Sequence, residues 1–166
     1  MTGRLAASER EEHGVDRTRA ATYGGGMETT IGRVVRAAGR YEGTGSGAES
    51  GPFDATIEIT PVLDGMGATI DYVAVASDGT ELHAEHTTLA FDSWSGQATL
   101  YVMCSELNGV GQLIEVSGSR FDNGQGIDGF ELQIEIALDD VLEYVWSWGA
   151  PGEPLTERSR AVFELR

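Results

Sequence analysis

The chain has 166 residues, 40% of them apolar, and 27 acidic against 11 basic side chains give a formal charge of −16. That is enough apolar material for one domain with a real core, while the charge excludes nucleic-acid phosphates and anionic membrane surfaces as partners, since both need a basic face. No stretch is long and apolar enough to cross a bilayer as a helix, and the N-terminus lacks the apolar run of a signal peptide, so a cytoplasmic protein is expected.

Residues 1–26 balance Arg4, Arg10, Arg17 and Arg19 against Glu9, Glu11, Glu12 and Asp16, carry few large apolar residues and end in three glycines. They are expected to form a disordered extension, with the folded domain spanning 27–166. Gly24-Gly25-Gly26 directly before Met27 also suits a translated ribosome-binding site, which makes Met27 a candidate start. Residues 27–38 place Ile31, Val34, Val35 and Ala38 at i, i+3, i+4 and i+7, one face of a short helix that Gly39 would end.

From Gly39 the period changes to two. "GRYEGTGSG" (39–47) bares one face of a strand of nearly all its side chains, which marks a bend or a close backbone approach. "FDATIEIT" (53–60) alternates cleanly. "GATIDYVAVA" (67–76), "ELHAEHTTLAF" (81–91), "QATLYVMCSEL" (97–107), "QLIEVSGSRF" (112–121), "FELQIEIAL" (130–138), "VLEYVWSW" (141–148) and "ERSRAVFEL" (157–165) follow, with turn signals such as Asp78-Gly79 and Asn108-Gly109 between them. About nine short strands with tight turns predict an all-β fold. An antiparallel up-and-down barrel is favoured over a β-sandwich because the hairpin order is unbroken.

The first strand, written GxYxGxGxG, resembles the GxWxGxGxG opening of the nitrobindins, heme-binding calycin barrels related in fold to fatty-acid-binding proteins and lipocalins. "DGTELHAEHTTLAF" resembles a second segment of that family, through Gly79, Leu82, His83, Ala84 and Glu85. The resemblance implies a ligand-holding barrel over residues 31–166. It also implies a closing contact between the first and last strands, built here from Tyr41, Gly43, Gly45 and Arg160, with Arg158 as the alternative cation. The family ligates heme iron through a C-terminal His, but "LTERSRAVFELR" offers Arg158, Ser159 and Arg160 and no His. The fold is therefore carried over and the heme disfavoured, because iron needs an axial side chain; no cofactor is expected.

The residues that could carry chemistry are few. His83 and Glu85 share a strand face and His86 takes the other, so the two histidines cannot grip one ion. His83 and Glu85 with Asp71 from the preceding strand would make a metal site, but none is expected, because one strand does not define three ligands. Tyr144, Trp146 and Trp148 share a face with Leu142 and read as a cavity lining or a packed core. Tyr101 either joins them or faces solvent opposite Leu100 and Val102. Trp94, in a turn, is expected to cap the barrel mouth, make a contact site or pack as a satellite of the core. Asp122, Asp128, Asp139 and Asp140 fit no calcium-loop pattern and read as solvated. Cys104 is the single cysteine, expected as a buried inert thiol. The function expected is binding of an apolar or amphipathic small molecule through His83, Glu85, Tyr101, Tyr144, Trp146 and Trp148. The alternatives are an enzyme using His83 and Glu85, or heme held by an atypical ligand such as Tyr or Met. A homodimer is compatible with the sequence.

Overall fold

The computed structural model describes residues 28–124 and 129–165. The expected extension, the candidate start Met27 and Asp128 lie outside the described residues. A short helix, α1 (Thr30–Arg36), precedes ten strands: β1 (Gly39–Gly47), β2 (Gly51–Val62), β3 (Gly67–Val75), β4 (Glu81–Phe91), β5 (Ala98–Cys104), β6 (Gly111–Ser117), β7 (Arg120–Asp122), β8 (Glu131–Leu138), β9 (Val141–Gly149) and β10 (Thr156–Glu164). Each strand pairs antiparallel with its neighbour in sequence, and β1 pairs with β10 to close the barrel. Closure leaves no free edge, which an open sheet with this alternation would expose.

The barrel has ten strands, close to the nine or so expected. The segment 112–121 is broken by Gly118 at φ +50°, a left-handed conformation glycine adopts freely. The chain reverses there, and β6 and β7 become a hairpin with Ser117 opposite Arg120.

α1 covers one end of the barrel. The Thr29 side chain caps it by accepting from Gly32 N at 3.1 Å. Ile31 and Val34 are buried against the core, and the Arg33 guanidinium donates to the Gly118 carbonyl. Tyr41, the inward aromatic of β1, donates its hydroxyl to Ala37 O at 2.9 Å and so ties the helix end to the first strand. Among the described residues no helix is long and apolar enough to cross a membrane.

The bare face of β1 is a packing device. A Cβ on Gly43 would lie 2.2 Å from the Val162 carbonyl oxygen and 2.6 Å from the Phe163 ring; one on Gly45 would lie 2.2 Å from the Phe53 ring and 2.5 Å from the Arg160 carbonyl oxygen. The missing side chains let rings from both neighbouring strands lie against the β1 backbone at the β1–β10 seam. Arg160 takes no part with Tyr41. It registers with Ser46 on the outer face and pairs with Glu157 at 2.7 Å and with Glu143. The expected Tyr41–Arg160 contact is thus corrected: inward residues of β10 are Ser159, Ala161 and Phe163, so the even-numbered Arg160 points outward.

The barrel interior has two halves. Toward α1 it is filled by Ile57, Ile70, Leu89, Leu100, Leu113, Phe121, Ile134, Ile136, Leu142 and Phe163, all essentially inaccessible to solvent. Toward the other end it is open.

Candidate functional site

The open half is a cavity of about 360 Å³ at the barrel mouth, bounded by the β1–β2 turn, the segment after β5 and the mouth ends of β3, β4, β8, β9 and β10. Phe53, Ala74, Leu82, Leu132, Trp146 and Trp148 give it a largely apolar wall. Tyr72, His83, Cys104, Glu106, Arg158 and Ser159 are its chemically distinctive members.

Its floor is built on one buried carboxylate. Glu85 alternates inward on β4 between His83 and Thr87, and its side chain is fully covered. One oxygen, Oε1, accepts from Tyr144 Oη at 2.5 Å and from Thr87 Oγ1. The other, Oε2, accepts from Trp146 Nε1 at 3.1 Å and meets His83 Nε2 at 3.3 Å. An ionised carboxylate has about four acceptor sites and no donor, and here four donors meet it. Burial and the adjacent Glu85 charge push the Tyr144 phenol well above its ordinary range, so it stays a donor.

His83 is held from both sides. Nε2 faces Glu85 and Nδ1 lies 2.8 Å from Glu106 Oε2, beyond the end of β5. The ring also packs against Tyr72 (centroids 5.6 Å apart) and Trp146 (5.5 Å). Burial works against the imidazolium, but the two carboxylates outweigh it and raise the His83 pKa above 6.5. Both ring nitrogens then act as donors.

This raised pKa has a consequence for stability. The folded state holds the His83 proton more tightly than the unfolded chain, so the stabilisation is complete below about pH 6.5 and fades as pH rises through the higher folded value. Urea midpoints in chelator-containing buffer are expected to fall across that interval, and His83→Gln is expected to flatten the fall. A wild-type profile that rises there would contradict the assignment.

Two buried donors in the cavity wall have no hydrogen-bond partner among the described residues: Tyr72 Oη and Arg158 Nε. Burial pushes the Tyr72 phenol far up, and the nearby Ser159 hydroxyl only partly opposes this. The Arg158 guanidinium carbon sits 5.7 Å from the centre of the Trp148 ring, a cation–π contact. Every other described arginine has a carboxylate or a backbone carbonyl: Arg33 has Gly118, Arg36 has Glu28, Arg40 has Glu58, Arg120 has Glu135, and Arg160 has Glu143 and Glu157. Arg158 has neither. Its position arises from a bulge between Glu157 and Ser159, which breaks the alternation of β10 and leaves it beside the inward Ser159.

The residues expected at the site are distributed over three places. His83, Trp146 and Trp148 line the cavity. Glu85 and Tyr144 lie one layer below it and do not line it. Tyr101 is outside the barrel, opposite Thr88 and Gln112, because Leu100 and Val102 take the inward positions of β5. Trp94 does not cap the mouth. It is 96% exposed in the turn after β4, at the helix end. Asp71 is on the outer face, with Oδ1 2.6 Å from His86 Nδ1, so it is not a third ligand for His83. Cys104 is half-buried at the cavity wall, and burial pushes its thiol up to about 11. Tyr72, Arg158 and Glu106 were not anticipated as cavity residues.

The heme implied by the nitrobindin resemblance does not suit these donors. The last strand brings Arg158 and Ser159 to the cavity in place of a His. The axial-type side chains that do line it, Tyr72, His83 and Cys104, stand on β3, β4 and β5 rather than on the last strand.

No family model matches the chain, and no curated protein does. Among solved structures, the crystal structure of Rv2717c from M. tuberculosis matches with a TM-score of 0.60 and 18% sequence identity, covering 85% of this chain and 99% of that one. The likeness is one of fold: the chain is a closed antiparallel β-barrel with a short N-terminal helix.

Proposed function

We propose that the protein is a small-molecule-binding barrel whose mouth cavity takes an amphipathic ligand with an anionic head. The observation that carries this reading is Arg158: a cation without a carboxylate partner among the described residues, with a buried and unsatisfied Nε on a cavity wall. A buried donor left without a partner costs about 1–3 kcal/mol, and more when charged, so a site that keeps one is built for an acceptor that arrives from outside. The Tyr72 hydroxyl, beside that of Ser159, lines the same cavity. The apolar body of the ligand would rest on Phe53, Leu132 and Trp146. A cavity of about 360 Å³ lies within the range of small-molecule sites, roughly 300–1,000 Å³.

On this reading the chain is a nitrobindin-like barrel, supported by "GRYEGTGSG" and "LHAE", in which an organic acid takes the place of heme. Glu85 supports the floor through its four donors rather than meeting the ligand, which favours binding over catalysis through a His83–Glu85 pair. Native mass spectrometry of protein purified from its own host is expected to show an adduct that denaturation releases as an acid. An unliganded mass that stays unchanged with every aliphatic and aromatic carboxylate offered would remove the reading.

A further inference from the structure

We propose a second site at the cavity rim: a three-ligand centre for a divalent ion of the zinc class, made by His83 Nδ1, Cys104 Sγ and a Glu106 carboxylate oxygen. One donor atom from each of these residues lies within 4.8 Å of the other two. They come from separate places in the chain. His83 is near the start of β4, Cys104 ends β5, and Glu106 follows two residues later. β4 and β5 are paired, with Glu85 opposite Cys104, so the barrel itself sets the convergence. Thiolate, imidazole and carboxylate together are a donor set for zinc or cobalt rather than for calcium or magnesium, which take oxygen.

The second observation is the shell behind the histidine. His83 Nε2 faces Glu85, and Glu85 is itself fixed by Tyr144, Thr87 and Trp146. A carboxylate on the far nitrogen is the arrangement that orients metal-binding histidines and increases their basicity. It assigns the remaining proton to Nε2 and leaves Nδ1 for the ion. The 2.8 Å His83–Glu106 contact then marks where an ion would replace a proton. Tetrahedral bonds of about 2.0–2.3 Å place ligand atoms about 3.5 Å apart, so the ion spreads that contact slightly and draws the sulfur in. Binding releases the Cys104 thiol proton, and the proton on His83 Nδ1 wherever the imidazole is charged. Three protein ligands leave a fourth position open, as in sites that accept an exogenous ligand. This centre does not depend on the organic ligand proposed above.

The test is anaerobic titration of the full chain with Co²⁺ alone, followed by absorption, with no organic acid present. One equivalent is expected to bind, with tetrahedral d–d bands and a thiolate-to-cobalt charge-transfer band. Cys104→Ser is expected to remove the charge-transfer band, and Glu106→Gln, on the exposed segment after β5, to weaken binding by at least about tenfold. Asp71→Asn, on the outer face, is expected to leave the titration unchanged. Absence of the charge-transfer band in the wild type, or its persistence in Cys104→Ser, would overturn the site. So would equal affinity in Glu106→Gln.

Discussion

Glu85→Ala is expected to cost about 3–5 kcal/mol of folding stability, the loss typical of removing one partner from a buried charged network. For a domain of this size that lowers Tm by on the order of 10 °C. The cause is not the lost carboxylate as such. It is the donors left behind: Tyr144, Thr87 and Trp146 lose a buried acceptor, and His83 at the cavity wall loses its Nε2 partner. Glu85→Gln should lose much less. The Tyr144 and Thr87 hydroxyls can rotate to accept from the new amide, while Trp146 Nε1 has no such option. Thermal unfolding followed by circular dichroism separates the cases. An alanine variant within about 1 kcal/mol of wild type would mean that Glu85 is not the keystone of the floor.

Gly43→Ala is expected to open the seam between β1 and β10. Its Cβ would meet a backbone carbonyl oxygen at 2.2 Å, and a backbone oxygen cannot turn aside as a side chain does. Overpacking of this kind costs about 1–3 kcal/mol, and more where strands must separate. Urea denaturation should show a lower midpoint. Hydrogen exchange should show the loss concentrated on the amides paired across Gly43–Gly47 and Ser159–Phe163. Gly79→Ala is a useful contrast, since a Cβ there meets nothing within 4 Å and only its left-handed φ of +86° is strained. Equal stability of Gly43→Ala and wild type would refute the packing account of the glycine strand.

The fold was legible because period and turn chemistry carry it. The alternation in 53–60 and 130–138 and the glycine-marked hairpins needed only the chain's own pattern. The expected count of about nine became ten where Gly118 divides an apparently continuous segment into two strands. The site was harder to read because it depends on bulges and on depth. Alternation alone sends Arg158 outward and makes Arg160 neither more nor less suitable; the bulge after Glu157 decides between them, and no residue type announces it. Depth divides residues that share a face: Tyr144 and Trp146 are two apart on β9, yet only Trp146 reaches the cavity. Tyr101 and Leu100 are adjacent, and only register fixes which of them turns inward. Glu106 lies beyond the strand, so its approach to His83 exists only once β4 and β5 have paired.

The proposed acid site in the mouth cavity has Arg158 as its anchor. Calorimetric titration with a matched pair, an aliphatic carboxylate and the alcohol of the same chain length, tests it most directly. The wild type is expected to prefer the carboxylate by at least about tenfold, which is about 1.4 kcal/mol, and Arg158→Leu to bind the two alike. Equal affinities in the wild type, or an undiminished preference in Arg158→Leu, would contradict it.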